Sequence, residues 1–207
     1  QGQLSMAHKL VEAASEAGAN AVKFQTYTAD TMTLDLENFK ISSDHKLWGN
    51  RKLYELYDEA HTPWDWHYEL FSHARELGLI PFSTPFDTSA VDFLEKLNCS
   101  IYKIASLETG DLDLIEAVGK TGKPCFLSTG ATNFDEVEEA VNCFLSTGNS
   151  ALTLLVCTSS YPANPKDAHV SRINLLKEKF NLKIGISDHT LGIGASLAAI
   201  ALGANVI

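Results

Sequence analysis

The stretch LIPFSTPFDTSAVDFLEKLNCSIYKIASLETG, residues 79–110, decides the fold class. Leu79–Ser83 is a short apolar run and reads as a strand. Ser89–Leu97 has helical spacing, and Ser100–Ser106 is a second strand-like run. Strand, helix and strand in so few residues is a βαβ unit, with a right-handed crossover and parallel strands. The same rhythm continues outward in both directions. Toward the N-terminus lie a helix over residues 4–18, stopped by Gly18, and a strand over Ala21–Tyr27. Residues 28–63 break the rhythm as an insertion with a short helix, and Trp64–Leu77 resumes it as a helix. Toward the C-terminus come helix Asp111–Thr121, strand Cys125–Ser128, helix Asn133–Leu145 and strand Leu152–Cys157. Helix Val170–Phe180, strand Lys183–Ser187, helix Gly194–Leu202 and the start of a strand at Asn205–Ile207 complete the series.

This alternation makes the chain an α/β protein with seven strands, a helix first and a strand last. A (β/α)8 TIM barrel needs one more strand before residue 1 and one more helix after residue 207, and typically has roughly 250 residues. The expectation is a partial TIM-barrel catalytic domain over residues 1–207, cropped at both ends, with the first strand and last helix missing. An open doubly wound sheet is the alternative, but no G-x-G-x-x-G follows the first strand, so a dinucleotide fold has no support.

Composition narrows the partners. A net charge of -10 argues against nucleic acid, whose phosphate backbone needs a basic face. No apolar run is long enough to span a bilayer, and no signal-peptide pattern is present, so no membrane partner and a cytoplasmic location are expected. Cys99, Cys125, Cys143 and Cys157 are far apart and form no C-x-x-C pair; they read as reduced core residues.

Four strands end in polar tips, at Ser83-Thr84, Lys103 to Ser106, Ser128-Thr129 and Ser187-Asp188-His189. In a parallel barrel those C-terminal ends converge on one mouth, where residues read as catalytic. Lys23 and Lys103 each sit on an otherwise apolar strand, where a lysine is costly unless an anion pairs with it. With Thr84, Ser106, Ser128 and Ser187 they form an anion cradle suited to phosphate. His189 follows as a metal ligand or general base. The other histidines (His8, His45, His61, His67, His73, His169) read as surface residues. Trp64, Trp66, Tyr54 and Tyr57 either cover a sugar or dock the insertion onto the barrel.

The strings AVKFQTY (21–27), STPFD (83–87), YKIAS (102–106), STG (128–130) and SDHT (187–190) resemble the sialic acid synthase family, the N-acylneuraminate synthases, in order and spacing. YTADTMTL (27–34), LYELY (53–57) with TPWDWH (62–67), and CTSSYPA (157–163) are most similar to its pseudaminic acid branch. The resemblance implies that phosphoenolpyruvate condenses with an open-chain N-acylated amino sugar, giving a nine-carbon 2-keto sugar acid, pseudaminic acid, and phosphate. Lys23, Thr84, Lys103, Ser106, Ser128 and Ser187 would then hold phosphoenolpyruvate, and Gln25, Ser159 and Tyr161 would face the sugar. His189 would ligate a divalent metal, manganese or magnesium, and Lys23, Lys103 and His189 would be catalytic. The resemblance also implies a homodimer, an Asn-His motif before Gln1, a second metal-binding histidine beyond Ile207 and a C-terminal antifreeze-like domain absent from this chain. Within the family the alternatives are an N-acetylneuraminic or legionaminic acid synthase. Outside it, the residues leave open a Schiff-base aldolase using Lys23 or Lys103, and a turnover-deficient sugar-phosphate binding module.

Overall fold

The computed structural model describes residues 2–44 and 48–207; His45 lies outside the described residues. The chain divides into two compact units, residues 1–100 and 101–207.

The first unit runs α1 (Leu4–Glu16), β1 (Ala21–Thr26), α2 (Ala29–Met32), α3 (Leu53–Ala60), α4 (Trp66–Glu76), β2 (Ile80–Pro85) and α5 (Thr88–Lys96). β1 and β2 pair in parallel, with Lys23 opposite Phe82 and Gln25 opposite Thr84. Val11, Leu70, Ala74 and Leu79 form its core, and Val22, Phe24 and Trp66 pack against them. Among its described residues the insertion holds two short helices rather than one, and an antiparallel bridge joins Lys40 to Lys52. The aromatics of this region pack on their surroundings. Trp64 donates from Nε1 to the Tyr27 carbonyl at 3.1 Å and lies 4.6 Å from Phe93, while Tyr27 meets Tyr57 edge-on.

His67 is not a surface residue: it is fully buried on α4. Its Nδ1 lies 3.2 Å from the Pro63 carbonyl. Nε2 lies 2.9 Å from the Thr26 hydroxyl, and the Thr26 and Ser83 hydroxyls share a hydrogen bond of 2.7 Å. This chain of three buried polar side chains locks the outward faces of β1 and β2 onto α4, so Lys23, Gln25 and Thr84 alternate to the opposite face. Sequence reading placed His67 outside because a lone histidine in an amphipathic helix carries no mark of its buried partners.

Burial holds the His67 pKa below its ordinary value, outweighing the nearby backbone carbonyls and Asp65. The unfolded chain then takes up a proton at a pH where the folded chain resists it. The stability due to neutral His67 is complete above the unfolded pKa and is lost as pH falls below it toward the folded one. Urea midpoints measured downward from about pH 7.5 should fall below about pH 6.5, with a slope of up to about 1.4 kcal/mol per pH unit from this group. His67→Gln should lower the plateau and flatten that slope; an unchanged slope would mean His67 does not carry it.

The second unit runs β3 (Tyr102–Ile104), α6 (Leu112–Lys120), β4 (Cys125–Ser128), α7 (Phe134–Ser146), β5 (Leu152–Cys157), α8 (Arg172–Phe180), β6 (Lys183–Ser187) and α9 (Gly194–Ala201). β3 through β6 pair in parallel in sequence order. Asp111 and Asn133 start α6 and α7 by accepting the first free backbone N–H groups, Leu114 N for Asp111 and Asp135 N and Glu136 N for Asn133. Val137, Ala140, Val141 and Phe144 recur at helical spacing and are buried with Ile104, Leu127, Leu154 and Ile184, each large side chain contributing about 1.5–3 kcal/mol. The expected strand at Asn205–Ile207 is not an assigned strand. Two backbone bonds, Asn205 N to Ile184 O and Ile186 N to Val206 O, nonetheless set it beside β6. The four cysteines are free; burial pushes the Cys125 thiol up to about 12, which leaves it inert. Among the described residues no helix is long and apolar enough to cross a membrane.

Candidate active site

In the second unit the register puts Lys103 beside Phe126, Ser128 beside Leu155, and Cys157 beside Ser187. Side chains alternate along each strand, so Lys103, Ser128 and Ser187 share one face. Ser128 is fully buried, and its hydroxyl has no partner among the described residues. A buried hydroxyl left with unspent capacity is costly, and a ligand that accepts from it relieves the cost. Ser106, also buried, accepts from Gly130 N at 3.1 Å, so its own proton remains to be donated. Gly130 is required there: a Cβ would stand 2.7 Å from the Cys157 carbonyl and 2.9 Å from the Ser159 hydroxyl. Thr109 donates to the Ser128 carbonyl at 2.7 Å and ties the turn after β3 to the end of β4.

Lys103 is half-buried, and burial lowers the pKa of its ammonium. The Cys157 thiol and the Glu108 carboxylate act the other way, and among the described residues Lys103 and Glu108 form no ion pair within contact distance. Burial raises the Glu108 pKa in turn, and its Oε2 is buried without a partner among the described residues. A weakened cation and a weakened carboxylate beside unspent hydroxyls are the features of a site awaiting an anion and a proton exchange.

His189 follows β6. Its Nδ1 lies 2.8 Å from the Thr158 carbonyl, and Nε2 lies 3.4 Å from the Ser187 hydroxyl. Tyr161 packs on the imidazole with ring centroids 4.3 Å apart. Asp188 accepts from Thr190 N and from the Ser196 hydroxyl, which fixes the turn that carries His189. Thus Tyr161 and His189 are in contact, and Ser159 lies at Gly130 next to the Ser106 tip. No group of three or more His, Cys, Asp or Glu that could hold a metal occurs among the described residues.

In the first unit Lys23, Gln25 and Thr84 lie on the face opposite α4. The Thr84 hydroxyl is buried and unpartnered among the described residues, like that of Ser128. Lys23 and Gln25 are exposed, so the expectation that both lysines are buried holds for Lys103 and fails for Lys23. Strand periodicity shows which side chains share a face but could not reveal which of them stay exposed.

Residues 10–207 match the model described as the NeuB family. The chain belongs to the NeuB family. It is 44% identical to the pseudaminic acid synthase of Campylobacter jejuni over 100% of this chain and 60% of that protein. Identity to the pseudaminic acid synthase of Helicobacter pylori is also 44%, over 99% of this chain and 60% of that protein. A crystal structure of an N-acetylneuraminic acid synthetase from Leptospira borgpetersenii, in complex with citrate, matches with a TM-score of 0.87 and 32% identity. That match covers 99% of this chain and 66% of the other. The fold is therefore of the TIM-barrel type expected from the βα alternation. The chain spans about 60% of the length of the curated relatives it matches.

Glu108 is a residue beside this candidate site that sequence reading missed. It sits in a short 3-10 turn, Glu108–Gly110, directly after the polar tip of β3. The available signal was a carboxylate five positions after Lys103, but in Leu107-Glu108-Thr109-Gly110 it reads as an ordinary turn residue.

Proposed function

We propose that the protein condenses phosphoenolpyruvate with an open-chain N-acylated amino sugar to give a nine-carbon 2-keto sugar acid and phosphate. The sugar is a 2,4-diacetamido-2,4,6-trideoxy hexose and the product pseudaminic acid. The observation that carries the reading is the buried Ser128 hydroxyl, without a partner among the described residues, on the same face as Lys103 and Ser187. Membership of the NeuB family and the likeness to pseudaminic acid synthases supply the substrate class.

In this reading Lys103, Ser106, Ser128 and Ser187 bind the phosphate and carboxylate of phosphoenolpyruvate. Lys23 and Thr84 keep the phosphoenolpyruvate role, and Gln25, Ser159 and Tyr161 the sugar role, that the family motifs imply. Carbon C3 of the enol attacks the aldehyde carbon and forms the C–C bond, while the aldehyde oxygen gains a proton. Water adds to C2 and gives up its protons, the C2–O bond to phosphate breaks, and the carbonyl forms as phosphate leaves with its bridging oxygen. Glu108, protonated more readily than a solvated carboxylate, exchanges a proton with the reacting oxygen atoms. His189 fits a metal ligand, because its protonated Nδ1 is spent on Thr158 and Nε2 keeps its lone pair. A divalent metal, manganese or magnesium, would polarise the aldehyde when bound. A homodimeric, cytoplasmic enzyme completes the proposal.

One assay tests both reaction and sugar. The full-length protein is incubated in oxygen-18 water with phosphoenolpyruvate and either the diacetamido sugar or N-acetylmannosamine. The expected result is unlabelled phosphate and a specificity constant higher by several decades for the diacetamido sugar, because a site built around the extra amide leaves groups unpaired when it is missing. Labelled phosphate would overturn the C–O cleavage. Equal constants would move the substrate to the sialic acid branch.

A further inference from the structure

We propose that Thr158 is the positioning residue that sets the tautomer of His189. The proposal rests on the reading of His189 as the working imidazole of the site. Thr158 belongs to the Cys157–Ala163 segment, from which the function draws only Ser159 and Tyr161. Its carbonyl takes the hydrogen bond from His189 Nδ1 at 2.8 Å, across 31 residues of chain. A carbonyl oxygen only accepts, so the proton must be on Nδ1 and the lone pair on Nε2. Only that tautomer can donate electrons from Nε2, to a metal or to a proton. Without a fixed acceptor at Nδ1 the ring is free to carry its proton on Nε2, which removes that capacity.

The carbonyl is itself held in place. The Thr158 hydroxyl donates to the Asp167 carbonyl at 2.6 Å, so the residue is anchored through its side chain to the far end of the same loop. The β-branched side chain restricts χ1 and makes the anchor stiff. The loop is also fastened to the His189 turn from the other side: Ala163 N donates to the His189 carbonyl at 2.8 Å, and Ala163 bridges Thr190 in parallel. Two contacts therefore hold the backbone of the His189 turn, and among the described residues Thr158 alone addresses Nδ1, while the Ser187 hydroxyl lies 3.4 Å from Nε2. Tyr161 covers the ring face and so limits rotation, but it presents no acceptor to Nδ1 in the described contacts.

The test uses Thr158→Val, which keeps the shape and loses the hydroxyl, and Thr158→Ser, which restores the hydroxyl. Nitrogen-15 NMR of the imidazoles, with His189 assigned from its absence in His189→Ala, reads the tautomer at a pH well above the imidazole range. Calorimetric titration with manganese alone reads affinity without substrate or turnover. In the parent, His189 should show a protonated Nδ1 and an unprotonated Nε2. Thr158→Val keeps the carbonyl but frees it from its anchor, so it should add the other tautomer and weaken manganese binding by up to about 10-fold, the low end of the range for losing an outer-shell partner. Thr158→Ser should return both readouts to parental values, which a general loosening of the loop would not do. If Thr158→Val keeps the parental tautomer and affinity, the proposal is overturned. If His189→Ala binds manganese with parental affinity, the metal-ligand reading fails, and the tautomer signal alone decides the role of Thr158. Should Thr158→Val not fold, Thr158→Ala removes the same hydroxyl and is read the same way.

Discussion

Lys103→Ala in the full-length enzyme is expected to raise the KM for phosphoenolpyruvate by about one to two decades, the loss of a charge-assisted contact worth about 1.5–3 kcal/mol. The side chain is half-buried on β3, and burial already works against its charge. The protein therefore keeps an ammonium where desolvation disfavours it, beside the fully buried hydroxyl of Ser128. An anionic substrate repays that cost and a folded apo protein does not, so the variant should retain its melting temperature. A second readout follows from Glu108. Burial raises its pKa and the Lys103 charge opposes the rise. Removing Lys103 should raise it further, moving any acid limb of the pH–rate profile due to Glu108 to higher pH. Phosphoenolpyruvate titrations with parental KM would sink the assignment of Lys103 to the anion cradle.

His189→Ala should cost still more. The variant is expected to bind manganese at least about 100-fold more weakly, beyond the range for losing an outer-shell partner, and turnover should fall with it. The fold should survive. The imidazole is only partly buried, and the turn around it is held by Asp188 to Thr190 and Ser196, contacts that alanine leaves intact. Far-ultraviolet circular dichroism and thermal melting would verify the fold while calorimetry measures the metal. Parental manganese affinity would show that His189 is not a ligand.

The contrast between Lys103 and Lys23 shows where sequence reading reaches its limit. Both lie on strands with apolar neighbours, and both were expected to be buried. Alternation along a strand tells which side chains share a face but not what covers that face. Lys103 is half-buried among its strand neighbours, whereas Lys23 is exposed although Thr84 on the same face is buried. His67 errs in the opposite direction. Its partners, Thr26 and Ser83, are 41 and 16 positions away in the chain and are made neighbours only by the pairing of β1 with β2 and the packing of α4 on both.

The sequence by itself determined the order of strands and helices, the parallel sense of the strands and the polar tips that carry the candidate site. These are consequences of local periodicity and short connections, which each segment holds in its own residues. The tertiary structure alone decided which hydroxyls are buried without partners, that Glu108 lies within the field of Lys103, and which nitrogen of His189 carries the proton. Those properties depend on dielectric surroundings and on contacts between residues distant in the chain. The Thr158 carbonyl fixes the proton of an imidazole 31 positions further on, and no periodicity in the chain encodes that hydrogen bond.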